Sequence, residues 1–133
     1  MKKTLLLTLV VLMTSMRVNA CDGITIKGKY CLSEHTMNWF SAYTWCKAQG
    51  MEMIDLNSVC GVAGWGTCSA LKLTADEQSK VGTTNDNSVV NWAWTRDSYS
   101  ATRPWSIKLT TGGISSDRAS FGERTQLGRA VCK

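Results

Sequence analysis

The 133-residue chain contains one histidine and one proline, His35 and Pro104. A single imidazole with no C-x-x-C pair leaves no ligand set for zinc, so no metal is expected. Neither G-x-S-x-G nor H-E-x-x-H occurs, which excludes a nucleophile elbow and a zincin helix. His35 lies in the polar stretch "SEHT", read as a loop, with no nucleophile at motif spacing. It is taken as a surface residue, and no enzyme activity and no cofactor are implied. No linker, low-complexity run or internal repeat divides the chain. The one long apolar run, "TLLLTLVVLM" at residues 4–13, is too short to span a bilayer comfortably.

What is present begins with a leader. Lys2 and Lys3 form a basic start, the apolar run follows, and "VNA" at Val18–Ala20 places small or branched residues before Cys21. This is the pattern of a bacterial Sec-type signal peptide over residues 1–20, cleaved after Ala20. The mature chain, residues 21–133, is one domain long, is expected in the periplasm or outside the cell, and carries no membrane anchor. Lys2, Lys3 and Arg17 leave with the leader, and twelve basic against ten acidic residues remain, a net of +2. The basic balance of the full chain is therefore no nucleic-acid footprint.

All six cysteines, at 21, 31, 46, 60, 68 and 132, lie in the mature chain. An even count in a small exported domain reads as a disulfide framework, with fifteen possible connectivities. Lipidation of Cys21 is the competing reading of "VNAC". Asn19 and the lack of leucine at −3 speak against it, as does parity, because lipidation would leave five cysteines.

Residues 23–32, "GITIKGKYCL", alternate and read as a strand or hairpin. In "NWFSAYTWCKAQG", residues 38–50, Trp39, Ala42, Tyr43 and Cys46 fall on one helical stripe, which Phe40 and Trp45 widen. Asn38 suits the N-cap and Gly50 the C′ position. "MEMIDL", 51–56, alternates as a strand, and residues 57–73 read as a loop. "TADEQSKV", 74–81, opens a second helix on a Thr74–Glu77 capping box. "VVNWAWT" (89–95), "WSIKLTT" (105–111), a weak return strand in "GISSDRASF" (113–121) and the terminal "GRAVCK" are strands. Gly112-Gly113 marks a hairpin turn. Helices early and antiparallel-looking strands late predict an α+β fold.

In order and spacing these segments resemble a C-type-lectin-like domain over the whole mature chain. Trp39, Ala42, Cys46 and Gly50 fall on that family's W-x-x-A-x-x-x-C-x-x-x-G helix, Thr74–Glu77 on its second-helix cap, and Cys132 on its last strand. The resemblance implies two helices with antiparallel sheets and a bridge from the helix cysteine to the last strand, Cys46–Cys132. It also implies a hairpin bridge Cys21–Cys31, which leaves Cys60–Cys68 to tie the intervening loop. The family's usual second core bridge has no counterpart here.

Its calcium-dependent sugar binders carry E-P-N or Q-P-D and W-N-D triplets, and this chain has neither. The nearest oxygen-rich run, Asn85-Asp86-Asn87, offers one charge and reads as a solvated turn rather than a calcium site. Asp97 and Asp117 look isolated. Trp65, in the glycine-rich loop "GVAGWGTC", can meet a sugar ring or a protein partner. Arg96, Tyr99 and Arg103 sit in the loop "RDSYSATRP", where the family binds its ligands. Trp92, Trp94 and Trp105 are expected to pack. The function implied is calcium-independent recognition of a glycan or a protein surface. The alternative is a structural or inhibitory protein acting on a protein partner. Nothing in the sequence sets an oligomeric state.

Overall fold

The computed structural model describes residues 21–116 and 127–133. The leader, Asp117 and most of the return strand expected over 113–121 lie outside the described residues. Among these residues there are six strands, three α-helices and three disulfides, an α+β architecture. The elements are β1 (Ile24–Ile26), β2 (Tyr30–Met37), α1 (Trp39–Ala48), α2 (Leu56–Cys60), α3 (Ala75–Val81), β3 (Trp92–Ser98), β4 (Pro104–Lys108), β5 (Ile114–Ser115) and β6 (Gly128–Cys132). Short 3-10 turns occupy Ser69–Leu71 and Val89–Asn91. The strands form one sheet, ordered β1-β2-β6-β3-β4-β5. It is antiparallel except where β3 and β6 run parallel at Ala93–Arg129. The expectation of two helices on antiparallel sheets is thus revised to three helices on a single mixed sheet.

Alternation along the central strands splits the apolar residues between two faces. On one face α1 sets Ala42 and Cys46 against Trp94, Ala130, Cys132, Cys31 and Met53. On the other, Leu32, Ala93, Trp105, Ile107 and Val131 pack with Leu56, Leu71, Leu73 and Val81 from the connecting segments. Two indole N–H groups reach carbonyls: Trp94 Nε1 donates to Met37 O at 2.9 Å and Trp39 Nε1 to Thr95 O at 2.8 Å.

The helix ends follow from their caps. Asn38 accepts from Ser41 N at 2.8 Å. At the other end of α1, Met51 N donates to Cys46 O and Gly50 N to Lys47 O, the bonding pattern of a Schellman motif. The capping box of α3 is complete: Thr74 accepts from Glu77 N, and Glu77 accepts from Thr74 N at 3.0 Å. Three expectations do not hold. Residues 51–56 are not a strand. Residues 53–56 are all buried, and the segment makes a single bridge, Met53–Cys132, because it lies between two neighbours. Ile54 N donates to Val131 O while Ile54 O accepts from Arg96 N. The stretch 57–73 is not all loop, because Asp55 caps α2 through Ser58 N. "SEHT" is not a loop either: it continues β2.

Both long strand pairs carry a bulge closed by a buried hydroxyl. In β2, three residues between Leu32 and Thr36 face only Ala130 of β6. Ser33 Oγ donates to His35 O at 2.7 Å and accepts from Ala130 N at 2.9 Å. In β3, three residues between Trp94 and Ser98 face only Trp105 of β4. Thr95 Oγ1 bonds Trp105 O at 2.9 Å and Asp97 O at 3.3 Å. Bulges bend and re-aim a strand, and the second one sets the position of Trp105. Near the first bulge, the buried Arg129 guanidinium donates from Nη2 to Glu34 O and to Val81 O, the last carbonyl of α3. Its Nε and Nη1 are buried without a hydrogen-bond partner among the described residues, and burial pulls its pKa below the usual guanidinium range.

Candidate binding surface

The disulfides are Cys21–Cys31, Cys46–Cys132 and Cys60–Cys68. The first engages the Cys21 sulfur, which therefore cannot also form the thioether of a lipoprotein. The last closes a short loop, and hydrogen bonds hold the same loop from the other side. Cys68 N donates to Gly112 O at 2.7 Å and Ile114 N to Gly66 O at 3.0 Å, with an isolated bridge between Thr67 and Gly113. Trp65 rides on this doubly held loop and is 57% exposed.

The β3–β4 connection brings the second component. Ser98 pairs with Pro104, and Tyr99 N donates to Arg103 O at 2.8 Å, so residues 99–103 form a tight reversal. Tyr99 is 56% exposed. Beneath both rings lies Trp105, 4% exposed. Trp65 meets it edge-on, with centroids 4.9 Å apart and planes at 89°. Tyr99 meets it at 5.4 Å and 80°, and Trp65 and Tyr99 are 6.2 Å apart at 62°. These are favourable edge-to-face geometries. Gly64 lies against Trp105, where a Cβ would come within 3.1 Å of the ring.

The structure therefore brings Trp65 and Tyr99 together, places Arg103 at the end of the same reversal, and separates Arg96 from them. Arg96 is in β3 rather than in a loop, and its guanidinium pairs with Glu52 at 3.1 Å. Glu52 also pairs with Lys47 at 2.9 Å, which lowers the Glu52 pKa and raises that of Lys47. Trp105, expected only to pack, is the support of the patch. It lies about forty residues beyond Trp65 in the sequence, and no local pattern signals that contact.

The remaining polar residues have structural partners. Asp97 is not isolated: its Oδ2 accepts from Leu56 N at 2.6 Å, so it and Asp55 both cap α2. A hydrogen bond from Lys133, then one from Ser58, holds the Asp55 carboxyl well below the usual carboxylate range. Asp86 Oδ1 accepts from Thr84 Oγ1 at 2.5 Å and Ser88 N at 2.9 Å. The buried Asn91 side chain ties Thr84 and the Asp86 carbonyl. Asp86 thus braces its own turn. Among the described residues no three His, Cys, Asp or Glu side chains gather as a metal would need.

One further surface feature departs from expectation. Phe40 does not widen the buried stripe of α1, being 55% exposed. With Met37, Ser41, Thr44, Trp45 and Ala48 it lines an open apolar groove of about 570 Å³. Among the described residues no helix is long and apolar enough to cross a membrane.

No family model, curated protein or solved structure shows significant similarity to this chain.

Proposed function

We propose that this chain is an exported, non-catalytic recognition domain on a C-type-lectin-like scaffold. It binds a glycan or a protein surface without calcium, through the patch of Trp65 and Tyr99 on Trp105. The observation that carries this reading is the pair of half-exposed rings on a buried indole, each ring borne by a loop tied to the sheet. Holding large apolar rings in water is unfavourable unless a partner covers them, and fixing them beforehand lowers the entropy cost of binding. Two features support the scaffold: the link from α1 to the last strand through Cys46–Cys132, and the pairing of β2 with β6. Three disulfides suit an oxidising compartment, consistent with export by the leader. The alternative reading, a structural or inhibitory protein acting on a protein partner, uses the same patch, since exposed tryptophan and tyrosine are also hot-spot residues.

The test is a glycan array run with and without chelator beside a pull-down from the native envelope. The reading expects a specific ligand in one of them, retained in chelator and lost in Trp65→Ala. Binding abolished by chelator would refute it, as would a ligand indifferent to Trp65.

A further inference from the structure

We propose that the outer face of α1 docks on a phospholipid bilayer, beside the point where the leader joins the domain. This goes beyond the recognition reading and is independent of the Trp65 patch.

The first observation is the composition of the helix. Residues 37–46, "MNWFSAYTWC", contain no Asp, Glu, Lys, Arg or His. One side of α1 is buried on the sheet through Ala42 and Cys46. An ordinary surface helix turns charged residues to the opposite side. Here the opposite side is the open groove of Met37, Phe40, Ser41, Thr44, Trp45 and Ala48, with Phe40 55% exposed. Its polar groups are two hydroxyls, on Ser41 and Thr44. Aromatic rings and apolar side chains on one exposed helix face are the composition of a helix at a membrane interface.

The second observation names the occupant. The twenty residues of the leader join the domain at Cys21, and the groove ends at the same place. Asp22 N donates to Gln49 Oε1 at 2.7 Å, one residue past the groove's Ala48. A Cβ on Gly23 would stand 3.2 Å from the ring of Trp45, the groove's large wall. Export by the leader sets its apolar run, residues 4–13, in a bilayer. Only residues 14–20 separate that run from Cys21, a link of at most about 25 Å when extended. The ten residues of α1 are about 15 Å long. A tether that short keeps the groove within reach of the surface. Asp22 and Lys29 are both exposed near the joint, so the rim adds no net charge and a zwitterionic bilayer suffices. The topology gives the contact a consequence. Trp105, which supports the aromatic patch, packs in the core on the other face of the sheet from α1. A domain resting on α1 therefore turns that face away from the lipid.

The experiment keeps the leader attached. Ala20→Leu removes the small residue before the cleavage position, and the disulfide-intact full chain is reconstituted in phosphatidylcholine vesicles. Photoreactive p-benzoylphenylalanine replaces Phe40 in one preparation and Tyr99 in another. After illumination, mass spectrometry counts phospholipid adducts at each position. The proposal expects about tenfold more adduct at position 40 than at position 99. With the probe at position 44 instead, Phe40→Ser should lower the yield severalfold while circular dichroism stays native, since proximity alone would not depend on that ring. Equal adducts at positions 40 and 99 would overturn the proposal, as would a yield at 44 indifferent to Phe40→Ser. Crosslinks from position 40 to a second copy of the chain in place of lipid would make the groove a self-interface and overturn it. So would a chain that stays off the vesicles altogether.

Discussion

Cutting the Cys46–Cys132 bridge is the sharpest perturbation of the framework. Both residues are 0% exposed, and the bond spans 86 positions between α1 and β6. The chain-entropy relation assigns a loop of that length about 4.6 kcal/mol at 25 °C, against about 2.6 kcal/mol for the short loop of Cys60–Cys68. Small domains have roughly 5–15 kcal/mol in total, so removal of the long bridge should bring the fold near its threshold. Removal of the short one should leave it folded. The substitutions are Cys46→Ala with Cys132→Ala, and Cys60→Ala with Cys68→Ala, since alanine leaves no buried hydroxyl. Urea unfolding followed by tryptophan fluorescence gives both losses on one scale. The expected difference is about 2 kcal/mol, with the long-loop variant the weaker. Equal losses, or a long-bridge loss below about 2 kcal/mol, would refute the reasoning that this bridge acts by constraining the unfolded chain.

Other consequences concern the turn beneath the patch and the acid limb. Gly112 has φ 79°, and a Cβ there would come within 2.7 Å of Cys68 O. Gly112→Ala should therefore cost at least about 2 kcal/mol in urea unfolding, and a neutral result would mean the turn can shift without loss. A hydrogen bond from Lys27 lowers the Glu77 pKa from 4.5 to about 2. A carboxylate with a lowered folded pKa contributes stability that is full above pH 4.5 and is lost as pH falls towards 2. The pair is about a quarter exposed, so its contribution is of order 1 kcal/mol. Glu77→Gln should flatten the stability–pH slope in that window, and an unchanged slope would contradict the assignment.

The parts of this fold that were legible in the sequence are those in which local chemistry and tertiary packing agree. The α1 stripe with Asn38 and Gly50, the Thr74–Glu77 box and the strands β3, β4 and β6 are cases of that agreement. Residues 51–56 misled because alternation is a sheet signal only when one face meets solvent. Here Ile54 and its neighbours are enclosed between β6 and β3, and Asp55 turns the chain into α2. "SEHT" looked like a loop because its polar residues ride a bulge, where Ser33 and Arg129 satisfy the carbonyls that the ladder leaves open. Phe40 fits the apolar period of α1 yet lies on its outer side, a choice made by the sheet and not by the helix. For the candidate surface, Trp65 and Tyr99 stood out as aromatics in irregular segments. Trp105 did not, because its part depends on a long-range contact. Arg96 was misplaced because the β3 bulge extends the strand beyond the point where alternation stops.

The central claim is that Trp65 is displayed for a partner rather than packed for stability. The direct measurement pairs the melting temperature of Trp65→Ala with its affinity for the ligand that the wild-type protein retains. A ring 57% exposed, with edge-to-face contacts to Trp105 and Tyr99, should cost about 1–2 kcal/mol of stability on removal, where a core tryptophan costs about 3–5 kcal/mol. The account predicts a melting temperature lowered by only a few degrees and an affinity lowered about tenfold or more. A stability loss of the core size, or a small loss with affinity unchanged, would contradict it.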